Sequence, residues 1–60
     1  MMRIPDEVIE RIEKDDLAYL KAWVKENNGF GARDGNGEAL LHKAAYYGAV
    51  RVATWLLEKG

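Results

Sequence analysis

Shifted by 33 residues, the chain lies on itself without a gap. Leu17 falls on Val50, Leu20 on Ala53, Trp23 on Leu56 and Val24 on Leu57. Asp15 falls on Gly48, Asn27 on Gly60 and Asp6 on Ala39. The match is one of residue class. Apolar residues meet apolar residues, and Gly, Asn and Asp, which tolerate the left-handed backbone that ends a helix, meet one another. A period of this size marks a repeat array, in which each unit buries its apolar face only against its neighbours. A chain of 60 residues has room for two such units.

Within each unit the apolar spacing predicts two helices. The first starts at Pro5-Asp6 with Asp6 as N-cap, and Val8, Ile9 and Ile12 line one side. Glu7–Arg11 and Glu10–Lys14 stand four residues apart in the favourable acid-first order, worth about 0.2–0.5 kcal/mol each. Asp15-Asp16 interrupts this helix, and Asp16 can cap a second carrying Leu17, Leu20, Trp23 and Val24. "NNGFGARDGNG" is a turn-rich connection. A third helix places Leu41, Ala44 and Ala45 on one face and ends at Gly48; a fourth runs from Val50 to Lys59. Tyr46 and Tyr47 are adjacent, so they cannot both face one apolar stripe.

Residues 34–60, "DGNGEALLHKAAYYGAVRVATWLLEKG", resemble an ankyrin repeat. The family pattern is D-x-x-G-x-T-P-L-H-x-A-A-x-x-G, then a second helix rich in Val and Leu, then G-A-D. Asp34, Gly37, Leu41, His42, Ala44, Ala45, Gly48, Leu56, Leu57 and Gly60 stand at matching positions. Residues 15–34 are similar to the second helix and following hairpin of a preceding repeat, with Phe30, Ala32 and Asp34 in order.

The resemblance implies an all-α fold of ankyrin-type helix-turn-helix repeats joined by hairpin loops, a solenoid fragment of four short helices. It would form one domain over 1–60, with an N-terminal capping repeat at 1–33 and a second repeat at 34–60. It also implies a structural role for His42, as a buried imidazole bonding backbone across the loop, and small Ala44 and Ala45 where backbones pack closely. Ala39-Leu40 replaces the family's Thr-Pro, and losing that cap oxygen costs about 1 kcal/mol. Gly29 and Gly31 replace an Asp and an Asn, which leads to the expectation of a looser hairpin. The chain stops at Gly60, before the hairpin that normally leads to another repeat.

Composition narrows the chemistry. With no cysteine and one histidine, neither a disulfide framework nor a multi-His metal cluster can form. A net charge of −1 and a pI of 5.7 argue against a nucleic-acid surface. No apolar run approaches the roughly 18 residues of a membrane span. The start, "MMRIPDEV", lacks a signal-peptide core, so a cytoplasmic location is expected. Gly29, Gly31, Gly35 and Gly37 fit no phosphate-binding motif and read as turn glycines. Asp15-Asp16 and Asp34/Glu38 lack EF-hand spacing and read as caps and turns. There is no serine, and Thr54 is the single threonine, so the expectation is no catalytic site, no cofactor and no metal.

Protein binding remains. By resemblance Tyr46 and Tyr47 fall on the concave face, with Arg33, Gly35, Asn36 and Glu38 at the loop tips and Lys59 at the edge, a mixed-charge patch centred on two rings. Tyr offers large contact area with few rotors. The fourth helix is apolar nearly all round and expects neighbours on two sides. Val52, Trp55 and Leu56 are therefore expected to drive homo-oligomer formation through an uncapped end, because about three repeats are normally needed for stability. The two readings are a module that binds a protein partner, a small inhibitor being one specific form, and a structural fragment or capping unit of a longer array that self-associates.

Overall fold

The computed structural model describes residues 3–59; Gly60, and with it the expected pairing of Asn27 and Gly60, lies outside the described residues. Four helices follow one another: α1 (Asp6–Glu13), α2 (Leu17–Asn27), α3 (Leu40–Tyr47) and α4 (Val50–Lys59), with a 3-10 turn at Gly29–Gly31. Two- or three-residue connections fold α1 onto α2 and α3 onto α4, as short links between antiparallel neighbours do. The two pairs then stack through α1 on α3 and α2 on α4. Among the described residues there is no strand, only isolated bridges that join Arg33 to Arg3 and to Ala39. Ile4 N–H donates to the Arg33 carbonyl at 2.7 Å, which ties the segment before α1 to the hairpin.

The repeat is visible in backbone geometry. At the end of α1, Asp15 is left-handed (φ 53°); its N–H donates to Ile12 O and that of Asp16 to Arg11 O. At the end of α3, Gly48 is left-handed (φ 69°); its N–H donates to Ala45 O and that of Ala49 to Ala44 O. Both are Schellman endings, and they lie one period apart. The third left-handed helix end falls on Asn28 (φ 51°) rather than Asn27.

Asp15 holds a conformation that L-residues other than Gly, Asn and Asp avoid, and its side chain shows what favours it there. Its carboxylate accepts from the first turn of α4: Arg51 N–H to Oδ2 at 3.2 Å and Val52 N–H to Oδ1 at 3.0 Å. A residue in the turn of the first helix pair thus caps the second helix of the next pair. Asp16 caps its own helix as expected, accepting from Tyr19 N–H at 3.2 Å.

The core runs through both units: Ile4, Val8, Ile12, Leu20 and Val24 from the first, Ala32 from the connection, and Leu40, Ala44, Ala49, Val52 and Leu56 from the second. Ala44 is fully buried, a small residue where α3 lies close to α1. Three expectations from local spacing need correction. Pro5, not Asp6, is the N-cap of α1, because its extended backbone and missing N–H suit the place before the first turn. The Glu7–Arg11 and Glu10–Lys14 pairs are not among the ion pairs of the described residues. Instead Glu7 accepts from Tyr19 Oη at 2.6 Å, and Arg11 lies over the Tyr19 ring, 5.0 Å from its centroid, and pairs with Asp16 at 3.2 Å. Tyr19 offers Arg11 and Glu7 an aromatic face and a hydroxyl together, which an exposed pair along one helix cannot match. Lastly, Leu40, not Leu41, joins Ala44 in the core, and Ala45 is exposed.

Candidate protein interface

Helix α3 organises the candidate surface, because α1 holds one of its sides and α4 another. Leu40 and Ala44 point into the stack, so the last turn carries its two tyrosines outward. Tyr46 is 80% exposed and Tyr47 37%. Their rings meet edge to face, with centroids 5.0 Å apart and planes at 83°. This arrangement suits the ring quadrupoles and holds both rings ready without a partner.

The hairpin sits at the other end of α3. Asp34 builds it: Oδ1 accepts from the N–H groups of Asn36 (2.9 Å) and Glu38 (2.8 Å). Lys43 reaches back from α3 to Asp34 Oδ2 at 2.7 Å and to Glu38 Oε1 at 3.2 Å. The Lys43 ammonium, with the two backbone donors, lowers the Asp34 carboxyl to about 2. In return Asp34 first, then Glu38, hold the Lys43 ammonium above its ordinary range. Arg33 donates to the Gly37 carbonyl at 3.2 Å, and Gly37 takes the left-handed φ of 81° that closes the loop.

The predicted residues stand on two elements, the hairpin and the last turn of α3. Arg33, Asn36 and Glu38 precede α3, and Tyr46 and Tyr47 end it, α3 itself being about 12 Å long at 1.5 Å per residue. Glu38 is engaged by Lys43 and Arg33 by the loop backbone. Lys59 borders a different depression, beside Phe30, Leu41 and Leu56.

Two further expectations are corrected by burial. Val52 is fully buried and Leu56 only 7% exposed, so neither is a self-association residue; both are consumed by packing within the chain. Trp55 is half-buried and stacks on Phe30, with centroids 5.4 Å apart. His42, expected inside, is exposed and lines an open depression with Arg33, Ala39, Leu41 and Ala45. It lies on the side of α3 turned away from α1, and Ala39 has no hydroxyl to hold it inward; α3 accordingly lacks a side-chain cap.

The family model for ankyrin repeats (many copies) matches residues 8–57. The chain is an ankyrin-repeat protein. Comparison with curated proteins and with solved structures gives no match. Ankyrin repeats are in general protein-binding modules and non-enzymatic scaffolds. Among the described residues of this ankyrin protein no helix is long and apolar enough to cross a membrane. Among the described residues no group of three or more His, Cys, Asp or Glu is arranged to hold a metal ion.

Lys43 and Asp15 are the functional supports that the spacing of residues did not disclose. For Lys43 no local signal exists. For Asp15 one does: it stands where the period puts glycine, and a side chain kept in a left-handed position has a reason to be there.

Proposed function

We propose that this ankyrin-repeat chain is a non-catalytic, cytoplasmic protein-binding module whose contact surface is anchored by Tyr46 and Tyr47. The single observation that supports this most is a pair of mutually braced, solvent-facing aromatic rings at the end of a helix held in the stack by Leu40 and Ala44. Exposed Tyr at a protein surface is the residue type that most often supplies binding energy, since it buries much area at little rotamer cost. The hairpin, rigidified by Asp34 and Lys43, offers Asn36 as a second contact about one helix length away.

The second reading, a capping unit of a longer array, is favoured by one specific observation. The outward side of the first helix pair is closed by a polar network of Glu7, Tyr19, Arg11 and Asp16. The two readings are compatible, because a capping unit can also bind.

The test is affinity capture with the wild-type chain, followed by titration of the captured protein with Tyr46→Ala and with Tyr46→Ala/Tyr47→Ala. Tyr46 is too exposed for its loss to disturb the fold. The double variant is expected to bind about 30-fold more weakly, equivalent to about 2 kcal/mol. Equal affinity for all three chains refutes the tyrosine surface.

A further inference from the structure

Glycine follows an asparagine or an aspartate at three places: Asn28-Gly29, Asp34-Gly35 and Asn36-Gly37. Such pairs are chemically labile, because an unhindered glycine nitrogen can attack the carbonyl carbon of the preceding side chain and close a five-membered ring. Closure needs a side chain free to turn and a backbone free to bend. The fold distributes that freedom unequally.

Asn28-Gly29 is locked. Asn28 is the left-handed end of α2, and its N–H donates to the Val24 carbonyl. Gly29 is buried, with the Trp23 ring where a Cβ would stand, and its carbonyl accepts from Ala32 N–H at 3.0 Å. The backbone there cannot swing without displacing the indole. Asp34-Gly35 is locked through its side chain. Asn36 and Glu38 donate to Asp34 Oδ1 and Lys43 donates to Oδ2, and a carboxylate so held is a poor electrophile.

Asn36-Gly37 has neither restraint. Asn36 is exposed, and among the described residues its side-chain amide has no hydrogen-bond partner. Nothing lies within 4 Å of where a Cβ on Gly37 would stand. The reacting nitrogen has one tie, its N–H donating to the Asp34 carbonyl at 3.0 Å. An exposed turn bond of this kind belongs to the part of a structure that opens most readily.

We propose that Asn36 is a site of spontaneous deamidation, and that the fold directs the reaction there rather than to Asn28. Gly37 N gives its proton to water and bonds to Asn36 Cγ; the Cγ–Nδ2 bond then breaks, and Nδ2 takes up a proton and leaves as ammonia. One water opens the cyclic imide. Breaking the bond from Gly37 N to Cγ gives aspartate, and breaking that to the main-chain carbonyl gives isoaspartate. Oxidation states do not change. Isoaspartate adds a methylene to the backbone between the N–H groups of residues 36 and 38, which Asp34 Oδ1 now holds together. The hairpin is thereby loosened where Lys43 clasps it. The chemistry does not depend on the tyrosine surface and stands or falls apart from it.

Peptide-mass mapping of the chain aged at mildly alkaline pH tests it, with a parallel sample in urea and fragmentation to tell aspartate from isoaspartate. In the folded chain Asn36 is expected to convert about tenfold faster than Asn28, whose reaction must wait for local opening. In urea the two rates are expected to come together. Equal rates in the folded chain overturn the proposal, as does an Asn36 that survives folded while the urea sample has reacted. Asn36→Gln would need a six-membered ring and is expected to abolish the mass change in its peptide. A change that remains there overturns the assignment. The separated isoaspartate product is expected to unfold at lower urea than an Asn36→Asp chain; equal midpoints overturn the loosening of the hairpin.

Discussion

Replacing Asp15 separates two roles that one residue combines, a left-handed helix ending and a cap on a helix 36 residues away. Removing the carboxylate leaves two N–H groups at the start of α4 without their acceptor. A lost cap costs about 1 kcal/mol, within a range of about 0.5–2, and a lost negative charge near a helix start a further ~0.3–1. Asp15→Asn tolerates the left-handed backbone but keeps one oxygen acceptor of two, so the charge and one of the two bonds to α4 are lost, about 1 kcal/mol. Asp15→Gly loses the cap but relaxes the backbone, where left-handedness costs an ordinary residue about 1–2 kcal/mol; the net loss is about 1 kcal/mol. Asp15→Ala loses the cap and keeps the strain, so the loss is about 2 kcal/mol or more. Urea unfolding followed by circular dichroism, with equal slopes among variants, measures the series. In a domain of this size each kcal/mol also moves the melting midpoint by about 4–8 °C. The expectation is that Ala does the most damage, with Asn and Gly close together below it. An Asp15→Ala chain as stable as the wild type would show that the bonds to α4 contribute nothing.

Three further outcomes follow from packing and charge. A methyl at Gly29 would overlap Trp23 Cζ3 and come within 2.9 Å of Cη2, so Gly29→Ala is expected to destabilise by about 1–3 kcal/mol; an unchanged urea midpoint would show that the indole is free to move. Ala39 has the extended backbone of an N-cap but no side-chain oxygen, so Ala39→Ser is expected to add about 1 kcal/mol, read as a higher midpoint. Asp34 has its folded pKa lowered to about 2. Its contribution is complete above the ordinary carboxylate range near 3.9 and is lost as pH falls from about 4 towards 2. Asp34→Asn is expected to flatten that part of the pH–stability curve, and a variant with the wild-type acid limb would exclude Asp34 as its cause.

What the sequence disclosed depended on how far each interaction reaches. Helix positions, the Asp16 cap and the paired endings at Asp15 and Gly48 rest on contacts a few residues apart, and period and turn chemistry carry them. The buried side of α3 was not legible in the same way. Leu40 and Leu41 are adjacent and both apolar, so spacing alone does not choose between them; α1, lying alongside, does. For the same reason spacing alone does not place His42 outside or Val52 and Leu56 inside. Glu7 and Arg11 have orthodox partners along α1, yet Tyr19 on the neighbouring helix draws both away. Tyr46 and Tyr47 were legible as an anomaly, since adjacent rings cannot share a stripe.

The residue that clasps the two units together occurs once. One period later its place is taken by Gly48, which makes the same turn and carries no acceptor. The molecule is therefore directional: its internal joint is fastened by a carboxylate, whereas the same turn one period later carries no side chain to fasten anything.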